Sequence, residues 1–165
     1  YDMQSAITRF GVIAGPRQMG KTDQGVVTLW MAKHFWKQSL KYIGYGGLGK
    51  QVRDILHVED LIELIDFQIH NIEKFNGKVF NAGGGLGSSV SLLEMTQICE
   101  EISGNKISIG SEKENRPADL RIYITDNSKI ENEIGWRPKK TAENIFADIF
   151  QWIKTNEQQL TNILK

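Results

Sequence analysis

Apolar and polar residues along the chain follow two spacings, one typical of strands and one typical of helices. Short apolar runs predict buried strands at residues 7–14, 40–43, 51–58, 78–82, 107–109 and 122–124. Longer periodic segments predict helices at residues 26–36, from 58 to 72, from 91 to 102, at 126–135 and from 141 to 153. Strands that alternate with helices indicate an α/β fold, with a short parallel or mixed sheet and flanking helices.

Capping residues support these helices. Asp23 is expected to cap the helix at 26–36, because a carboxylate accepts hydrogen bonds from the free N–H groups of a first turn. Ser91 and Glu94 have the spacing of a capping box, and Thr141 precedes the last amphipathic helix. The helix from Val58 carries apolar residues on one face, which we expect to be buried. That face comprises residues 58, 61, 62, 65, 69 and 72.

Composition narrows the class of protein. The 165 residues are 40% hydrophobic and 24% charged, as expected for one globular domain and not for a disordered or collagen-like chain. Lys and Arg number 20 and Asp and Glu number 20, so no overall basic field attracts nucleic acid or an anionic membrane. Cys99 is the single cysteine, a small core residue, and no Cys/His cluster predicts a metal. We therefore expect a cytoplasmic protein without a membrane span.

The stretch from Gly15 to Thr22 matches the Walker A pattern and follows a predicted strand. In a P-loop, Lys21 would neutralise the terminal phosphate and Thr22 would bind magnesium. A small P-loop NTPase is therefore one alternative. Against it, Asp23 places a carboxylate beside the phosphates, and the run ending at Asp126 is a poor Walker B strand.

Two other glycine-rich stretches predict loops. The stretch Gly44–Gly49 has the letters of the dinucleotide-binding fingerprint, but the residues after it are extended and do not open a helix. The stretch Gly83–Gly87 predicts a turn whose backbone approaches a ligand or another strand closely.

Two arginines are candidates for binding a diphosphate. Arg53 lies in an otherwise apolar extended run, and Arg116 lies in a loop that Pro117 stiffens. A planar guanidinium binds phosphate oxygens in a bidentate manner. The alternative is a structural ion pair for each, with Asp54 and Asp119 respectively. We assign His34, His57 and His70 structural positions, and we assign Trp30, Phe35 and Trp36 to the core.

Five motifs in register resemble the C-terminal part of the extended short-chain dehydrogenases/reductases, the nucleotide-sugar epimerases and dehydratases. The second of them, Arg53-Asp54-Ile55-Leu56-His57-Val58-Glu59-Asp60, is the most specific. The five lie at residues 9–17, 53–60, 80–94, 116–119 and 126–138. Within the family, residues 17–25 and 49–54 are most similar to the epimerases of CDP-linked sugars.

The resemblance implies that residues 1–165 form a single substrate-binding portion of a Rossmann-type enzyme. The family's N-terminal half binds NAD and supplies a catalytic Tyr-x-x-x-Lys pair, and neither is found in this sequence, which begins at Tyr1 and not at Met. No catalytic residue is therefore expected here, and this chain alone is expected to be inactive. The family's reaction is epimerisation by transient oxidation and reduction, at C2 in the CDP-sugar type that serves O-antigen deoxysugar synthesis.

The resemblance also implies specific contacts with a nucleotide-diphosphate sugar, in this case CDP-linked. Arg53 and Arg116 would bind the phosphates, Asp119 and Gln51 would lie near the ribose, and Gln24 would lie near the nucleotide. Residues that bind the cofactor remain unassigned, and a homo-oligomer of the full-length enzyme stays open. A stand-alone nucleotide-sugar binding module without catalysis is the second alternative.

Overall fold

A computed structural model describes residues 2–21 and 24–165. The strands are β1 (Ala6–Phe10), β2 (Val12–Ala14), β3 (Leu40–Ile43), β4 (Val52–His57), β5 (Lys78–Ala82), β6 (Ser89–Ser91), β7 (Ile109–Glu112) and β8 (Ile122–Tyr123). The helices are α1 (Val26–Phe35), α2 (Val58–His70), α3 (Ile72–Phe75), α4 (Leu92–Ser103), α5 (Ser128–Ile134), α6 (Ala142–Thr155) and α7 (Glu157–Leu164). The predicted α/β class is confirmed. Among the helices of the described residues, none has the length and apolar character needed to cross a membrane.

Strand β4 is the strand with the most partners. Its C-terminal half pairs in parallel with β2, so that Val12 lies opposite Ile55. Its N-terminal half pairs antiparallel with β6 and parallel with β8. Within the described residues, two separate parallel pairs, β1 with β5 and β3 with β7, complete the sheets.

Two hydrophobic clusters hold these elements together. The larger contains buried residues of α1, α4, α6 and α7, including Met31, Met95 and Phe146. Cys99 is buried in it, as predicted, and burial raises the pKa of its thiol well above the usual range. The smaller cluster joins β5 to α2, α3 and α5, with Phe75 and Phe80 at its centre.

The capping predictions have mixed outcomes. The capping box at Ser91 and Glu94 and the cap at Thr141 are both confirmed. The pKa of Glu94 is lowered because its carboxylate accepts hydrogen bonds from the Ser91 hydroxyl and backbone N–H. Asp23 lies outside the described residues. Helix α1 has Gly25 at its N-cap position, with φ of 78°, and this residue supplies no side-chain cap.

The prediction of one buried strand over residues 7–14 is wrong. The run divides at Gly11 into β1, which pairs with β5, and β2, which pairs with β4. A Cβ on Gly11 would lie 2.8 Å from the Thr125 hydroxyl oxygen and 3.1 Å from Asp54 Oδ1, so two other segments approach the chain closely where the run divides. Strand β1 also alternates between half-buried and exposed residues, with Ile7 exposed.

The predicted buried face of α2 is also wrong. Ile62, Ile65 and Ile69 are exposed to 59%, 40% and 65%. The helix instead turns Asp60 and Gln68 inward, on either side of Leu64. The Asp60 carboxylate accepts two backbone N–H bonds, and the Gln68 amide donates to the Thr8 hydroxyl at 2.7 Å. Within the described residues, hydrogen bonds with distant segments thus accompany the face of α2 that is buried, and the apolar face is left exposed.

Smaller differences concern element ends. The strand predicted at 107–109 forms two residues later, as β7, because its pairing with β3 continues to Glu112. The strand predicted at 122–124 and the helix at 126–135 are slightly shorter in the structure, as β8 and α5. Strand β6 and helix α7 were not predicted.

The turn that follows β5 packs against β4 with very little space. A Cβ on Gly83 would lie 2.3 Å from both Asp54 Oδ2 and Thr125 Oγ1, and one on Gly84 would lie 2.0 Å from the Ile55 carbonyl oxygen. The N–H of Gly85 donates to Asp54 Oδ2 at 3.0 Å. The close approach predicted for this stretch is thus to a strand.

We expect Gly83→Ala to destabilise the fold by about 1–3 kcal/mol, because the added methyl group overlaps the Asp54 carboxylate and the Thr125 side chain. The free energy of unfolding in urea is the measurement. Gly87→Ala is the matched control, since a Cβ there meets nothing within 4 Å. Equal stability of the two variants would contradict the packing argument.

The burial of His34 is expected to make the stability of the fold depend on pH. The side chain is fully buried, and its Nδ1 donates to the Trp30 carbonyl oxygen at 2.7 Å. Burial is the main cause that lowers the pKa of His34, opposed by that hydrogen bond and by Glu100. The unfolded chain therefore binds a proton at higher pH than the folded chain does.

Stability is accordingly expected to fall as the pH drops below the unfolded-state pKa of about 6.5, by up to about 1.4 kcal/mol per pH unit. Urea unfolding at about pH 7.5 and about pH 5 measures this loss. His34→Gln should lose less stability than the wild type between these two pH values. His70→Gln, at an exposed position, should lose as much as the wild type. The same loss in His34→Gln as in the wild type would rule out His34 as its source.

Candidate functional site

A cavity of about 930 Å³ lies between strands β2, β3, β4 and β7, helix α1, the first turn of α4 and the loop that follows β7. Its walls are mainly apolar side chains such as Val12, Leu29 and Met95. All five residues that the sequence nominated for substrate binding line this cavity. They are Gln24, Gln51, Arg53, Arg116 and Asp119.

Two of the five cavity residues come from β4 and its start: Gln51 immediately precedes the strand, and Arg53 is its second residue. Side chains alternate across a strand, so Gln51 and Arg53 face the same side and Asp54 faces the other. The Arg53 guanidinium donates from Nη1 to the Val52 carbonyl oxygen at 2.7 Å and from Nη2 to Asp119 Oδ1 at 2.8 Å. The ion pair considered between Arg53 and Asp54 is therefore wrong, because the partner of Arg53 comes from the loop after β7.

Gln51 presents an acceptor that no described residue uses. Its side chain is only 7% exposed, and its Nε2 donates to the Ile43 carbonyl oxygen at 2.5 Å. That bond fixes the orientation of the amide. The Oε1 atom is buried and has no hydrogen-bond partner among the described residues. A buried acceptor without a donor is unfavourable.

The loop at residues 113–121 carries Arg116 and Asp119 to the cavity. Its turn places Ala118 at φ of 58°, and the Asp119 N–H donates to the Arg116 carbonyl oxygen at 3.3 Å. Pro117 stands at the corner of this turn. The turn brings a segment distant in sequence opposite β4, and the two arginines thereby line one cavity.

Two glutamines lie at the α1 end of the cavity. Gln24 precedes the helix, as predicted. Gln18, which sequence reasoning did not select for the cavity, donates from Nε2 to the Ile13 carbonyl oxygen at 2.9 Å and accepts from the Thr28 hydroxyl at 3.3 Å. Both the Nε2 and the Oε1 atom of Gln18 are thus hydrogen-bonded within the fold, and the side chain forms part of the cavity wall.

The Walker A stretch does not form a phosphate nest in the described residues. The Gln18 N–H donates to the Gly15 carbonyl oxygen, and the Lys21 N–H donates to the Gln24 carbonyl oxygen at 2.7 Å. These donors are therefore not free to bind phosphate. Helix α1 begins only at Val26, whereas a P-loop helix begins at the Lys-Thr pair. Thr22, the predicted magnesium ligand, lies outside the described residues.

The stretch Gly44–Gly49 forms a short 3₁₀ turn at Tyr45–Gly47 and then leads into β4. It does not open a helix, so it does not fit the pyrophosphate of a dinucleotide. A Cβ on Gly47 would lie 2.0 Å from Ser111 Oγ, which explains a glycine at that point. The loop predicted here is confirmed.

His57, Glu59 and Asp148 bring possible metal-ligating atoms within 4.8 Å of one another. Their arrangement does not fit a metal ion. His57 Nδ1 accepts from the Glu59 N–H at 3.0 Å, so the neutral ring carries its proton on Nε2, which faces Asp148 Oδ2 at 3.4 Å. The Lys140 ammonium lies 2.8 Å from Asp148 and 3.3 Å from Glu59.

The Lys140 ammonium therefore already occupies the position of a cation between the Glu59 and Asp148 carboxylates. Its pKa is raised, mainly by the hydrogen bond to Asp148 and opposed by a desolvation contribution. His57 acts as the N-cap of α2, a structural position as expected from the sequence.

The model of one protein family, described as GDP-mannose 4,6 dehydratase, matches residues 1–149 of the chain. A CDP-paratose 2-epimerase of Salmonella typhi is 32% identical over 154 residues, which are 92% of this chain and 45% of that enzyme. A UDP-glucose 4-epimerase of Bacillus subtilis is 33% identical over 109 residues, or 66% of this chain and 31% of that enzyme.

Solved structures show the same likeness. A dTDP-glucose 4,6-dehydratase from Bacillus anthracis, in complex with NAD, is 25% identical with a TM-score of 0.76, and the match covers 96% of this chain and 47% of that one. A UDP-glucose 4-epimerase from Thermus thermophilus, in complex with NAD, has a TM-score of 0.80 at 22% identity, covering 93% and 48%. At the latter identity the likeness concerns the fold alone.

The chain spans about half the length of the relatives that it matches most extensively. These relatives are epimerases and dehydratases of nucleotide sugars. Neither alternative from the sequence, the P-loop NTPase or the binding module without catalysis, gains support from them.

Proposed function

The chain belongs to the extended short-chain dehydrogenase/reductase family of nucleotide-sugar epimerases and dehydratases, and from this membership we propose that it binds the substrate of an epimerase that acts on a CDP-linked sugar at C2. The CDP-paratose 2-epimerase of Salmonella typhi, 32% identical over 92% of this chain, supports that choice of nucleotide. A role in O-antigen deoxysugar synthesis belongs to the same proposal.

The observation that carries the proposal is the convergence of Arg53 and Arg116 on one cavity. These residues come from a strand and from a loop that lie far apart in sequence. Two guanidinium groups beside one cavity suit a diphosphate, because each planar fork binds phosphate oxygens through two parallel hydrogen bonds. Asp119 holds the Arg53 guanidinium in place through the bond to its Nη2.

We assign Gln51 to the binding of a ribose next to the diphosphate. It lies two residues before Arg53 on the same side of the backbone, so the two side chains start roughly 6.5 Å apart along the strand. Its side chain lines the cavity beside Arg53, and the bond from its Nε2 to the Ile43 carbonyl oxygen fixes the amide. The ribose is the sugar linked directly to the diphosphate, so we assign Gln51 to the ribose.

The apolar remainder of the cavity suits a flat base. Ligand cavities of about 300–1,000 Å³ with mostly apolar walls and a few placed polar groups are typical of small-molecule sites, and 930 Å³ lies within that range. Gln24, at the start of α1, is the polar residue that we assign to the nucleotide end.

We assign the oxidation and reduction chemistry to residues beyond this chain. The described glycine-rich turns do not fit a dinucleotide, and we assign NAD to the half of the enzyme that precedes these residues in the relatives. One surface supports a second half in contact with this one: helix α2 exposes Ile62, Ile65 and Ile69.

Arg53→Ala and Arg116→Ala should each weaken the binding of CDP about 10- to 100-fold, because a hydrogen bond to a charged group contributes about 1.5–3 kcal/mol. The Arg→Lys variants should recover part of the loss, since an ammonium keeps the charge but lacks the fork. Isothermal titration calorimetry measures the dissociation constants. Arg137→Ala is the matched control, because that side chain is exposed and pairs with Glu131.

Wild-type affinity for CDP in both alanine variants would contradict the diphosphate assignment. Thermal unfolding of each variant distinguishes this result from a loss of folded protein. A chain that binds ATP tightly in the presence of magnesium, but not CDP, would overturn the proposal as a whole.

The isolated chain should not turn over CDP-paratose when NAD is added, because the proposed acid/base pair and the NAD site lie outside it. NMR spectra of the sugar after prolonged incubation measure the reaction. Binding of CDP by the same preparation is the control that shows a competent site. Any appearance of the C2 epimer would contradict this assignment of the chemistry.

A further inference from the structure

The loop at residues 113–121 is an exposed segment that carries two cavity residues, Arg116 and Asp119. Exposed loops are usually more mobile than the elements that they connect. A mobile loop would have to be ordered each time a ligand bound, at a cost in conformational entropy. The contacts that hold this loop therefore influence affinity even where they do not touch the ligand.

Tyr45 contacts this loop at two points. Its backbone N–H donates to Asn115 Oδ1 at 2.6 Å, and its hydroxyl donates to the Asp119 carbonyl oxygen at 2.5 Å. The two acceptors stand on either side of Arg116 in the sequence. Tyr45 itself does not belong to the cavity wall.

The backbone of Tyr45 is adapted to this task. Its φ of 49° lies in the left-handed region, which costs a residue with a Cβ about 1–2 kcal/mol. Neighbouring Gly44 and Gly46, with φ of 85° and 81°, allow the tight turn that directs the Tyr45 N–H toward Asn115. Strain that the fold retains away from the core often has a functional reason.

We propose that Tyr45 is a positioning residue that holds the loop at residues 113–121 in place, so that Arg116 is ready for the diphosphate and Asp119 stays on Arg53, through its hydroxyl bond to Asp119 and its N–H bond to Asn115. The inference rests on the proposed function, since it takes the ligand to be a nucleotide diphosphate. It adds a residue that neither the sequence motifs nor the cavity wall singles out. Because the Asp119 side chain in turn holds Arg53, one tyrosine orders the loop that presents one arginine and supports the other.

Tyr45→Phe removes the hydroxyl bond and leaves the ring and the backbone N–H. We expect CDP to bind about 3- to 10-fold more weakly, as for the loss of one neutral hydrogen bond. Cytidine, which has no phosphate, should bind as it does to the wild type. Asn115→Ala, which removes the acceptor of the Tyr45 N–H, should show the same selective loss for CDP.

Two matched variants separate positioning from stability. Tyr123→Phe removes a tyrosine hydroxyl from an exposed position, and it should change neither binding nor stability. Tyr42→Phe breaks a buried bond of 2.7 Å with the Thr96 hydroxyl, so it should lower the unfolding temperature without a selective effect on CDP. Calorimetric titration with CDP, NMR titration with cytidine and thermal unfolding are run on every variant.

A selective loss for CDP in Tyr45→Phe and Asn115→Ala, with the folded fraction unchanged, supports the inference. Equal losses for CDP and cytidine, or no loss, overturn it and leave the proposed function intact, because the wild type still binds CDP. Failure of the wild type to bind CDP overturns the proposed function and, with it, this inference. Faster amide hydrogen exchange at residues 113–121 in Tyr45→Phe, measured without ligand, is the further expected result.

Discussion

The alternation of side chains along β4 is the constraint on which the rest of the structure depends. A strand sends successive side chains to opposite faces, so a shift of one residue in register would exchange them all. In this register, Arg53 faces the cavity and Asp54 is buried on the opposite face, where it accepts from the Gly85 N–H. The pairing of β4 with β2, β6 and β8 fixes that register from both edges. The tight packing of Gly83 and Gly84 against β4 and the cap of α2 by His57 both follow from it.

The cavity is built from contacts between segments that are distant in sequence. Arg53 meets Asp119 from the loop after β7, and Tyr45 meets both Asn115 and Asp119. None of these pairs could form if the loop at residues 113–121 lay elsewhere, because the turn at Ala118 presents Arg116 and Asp119 together. The site therefore depends on the loop being held, and the apolar walls alone would not create it.

The sequence predicted local features well and distant contacts poorly. Capping at Ser91 and Thr141 was confirmed because a cap involves residues only three apart. The exposed face of α2 was missed because Asp60 and Gln68 are held inward by partners from other segments, which periodicity does not report. Arg53 lines the cavity, yet the ion-pair partner considered for it was its neighbour in sequence, whereas the observed partner lies on the loop after β7. Tyr45 had no signal beyond its place between glycines, where a bulky residue at positive φ is unusual.

Under the proposed function, the pair of Arg53 with Asp119 suits a site that receives an anion. Both side chains are partly exposed, at 22% and 23%, so the pair lies between a solvent-exposed one, which contributes about 0–1 kcal/mol, and a fully buried one. The guanidinium can therefore exchange this partner at a modest cost, and the Val52 carbonyl oxygen and Asp119 hold it until then. A buried pair would hold the arginine too firmly, because breaking it costs about 3–5 kcal/mol. Partial exposure thus allows one carboxylate to orient the arginine without holding it as firmly as a fully buried partner would.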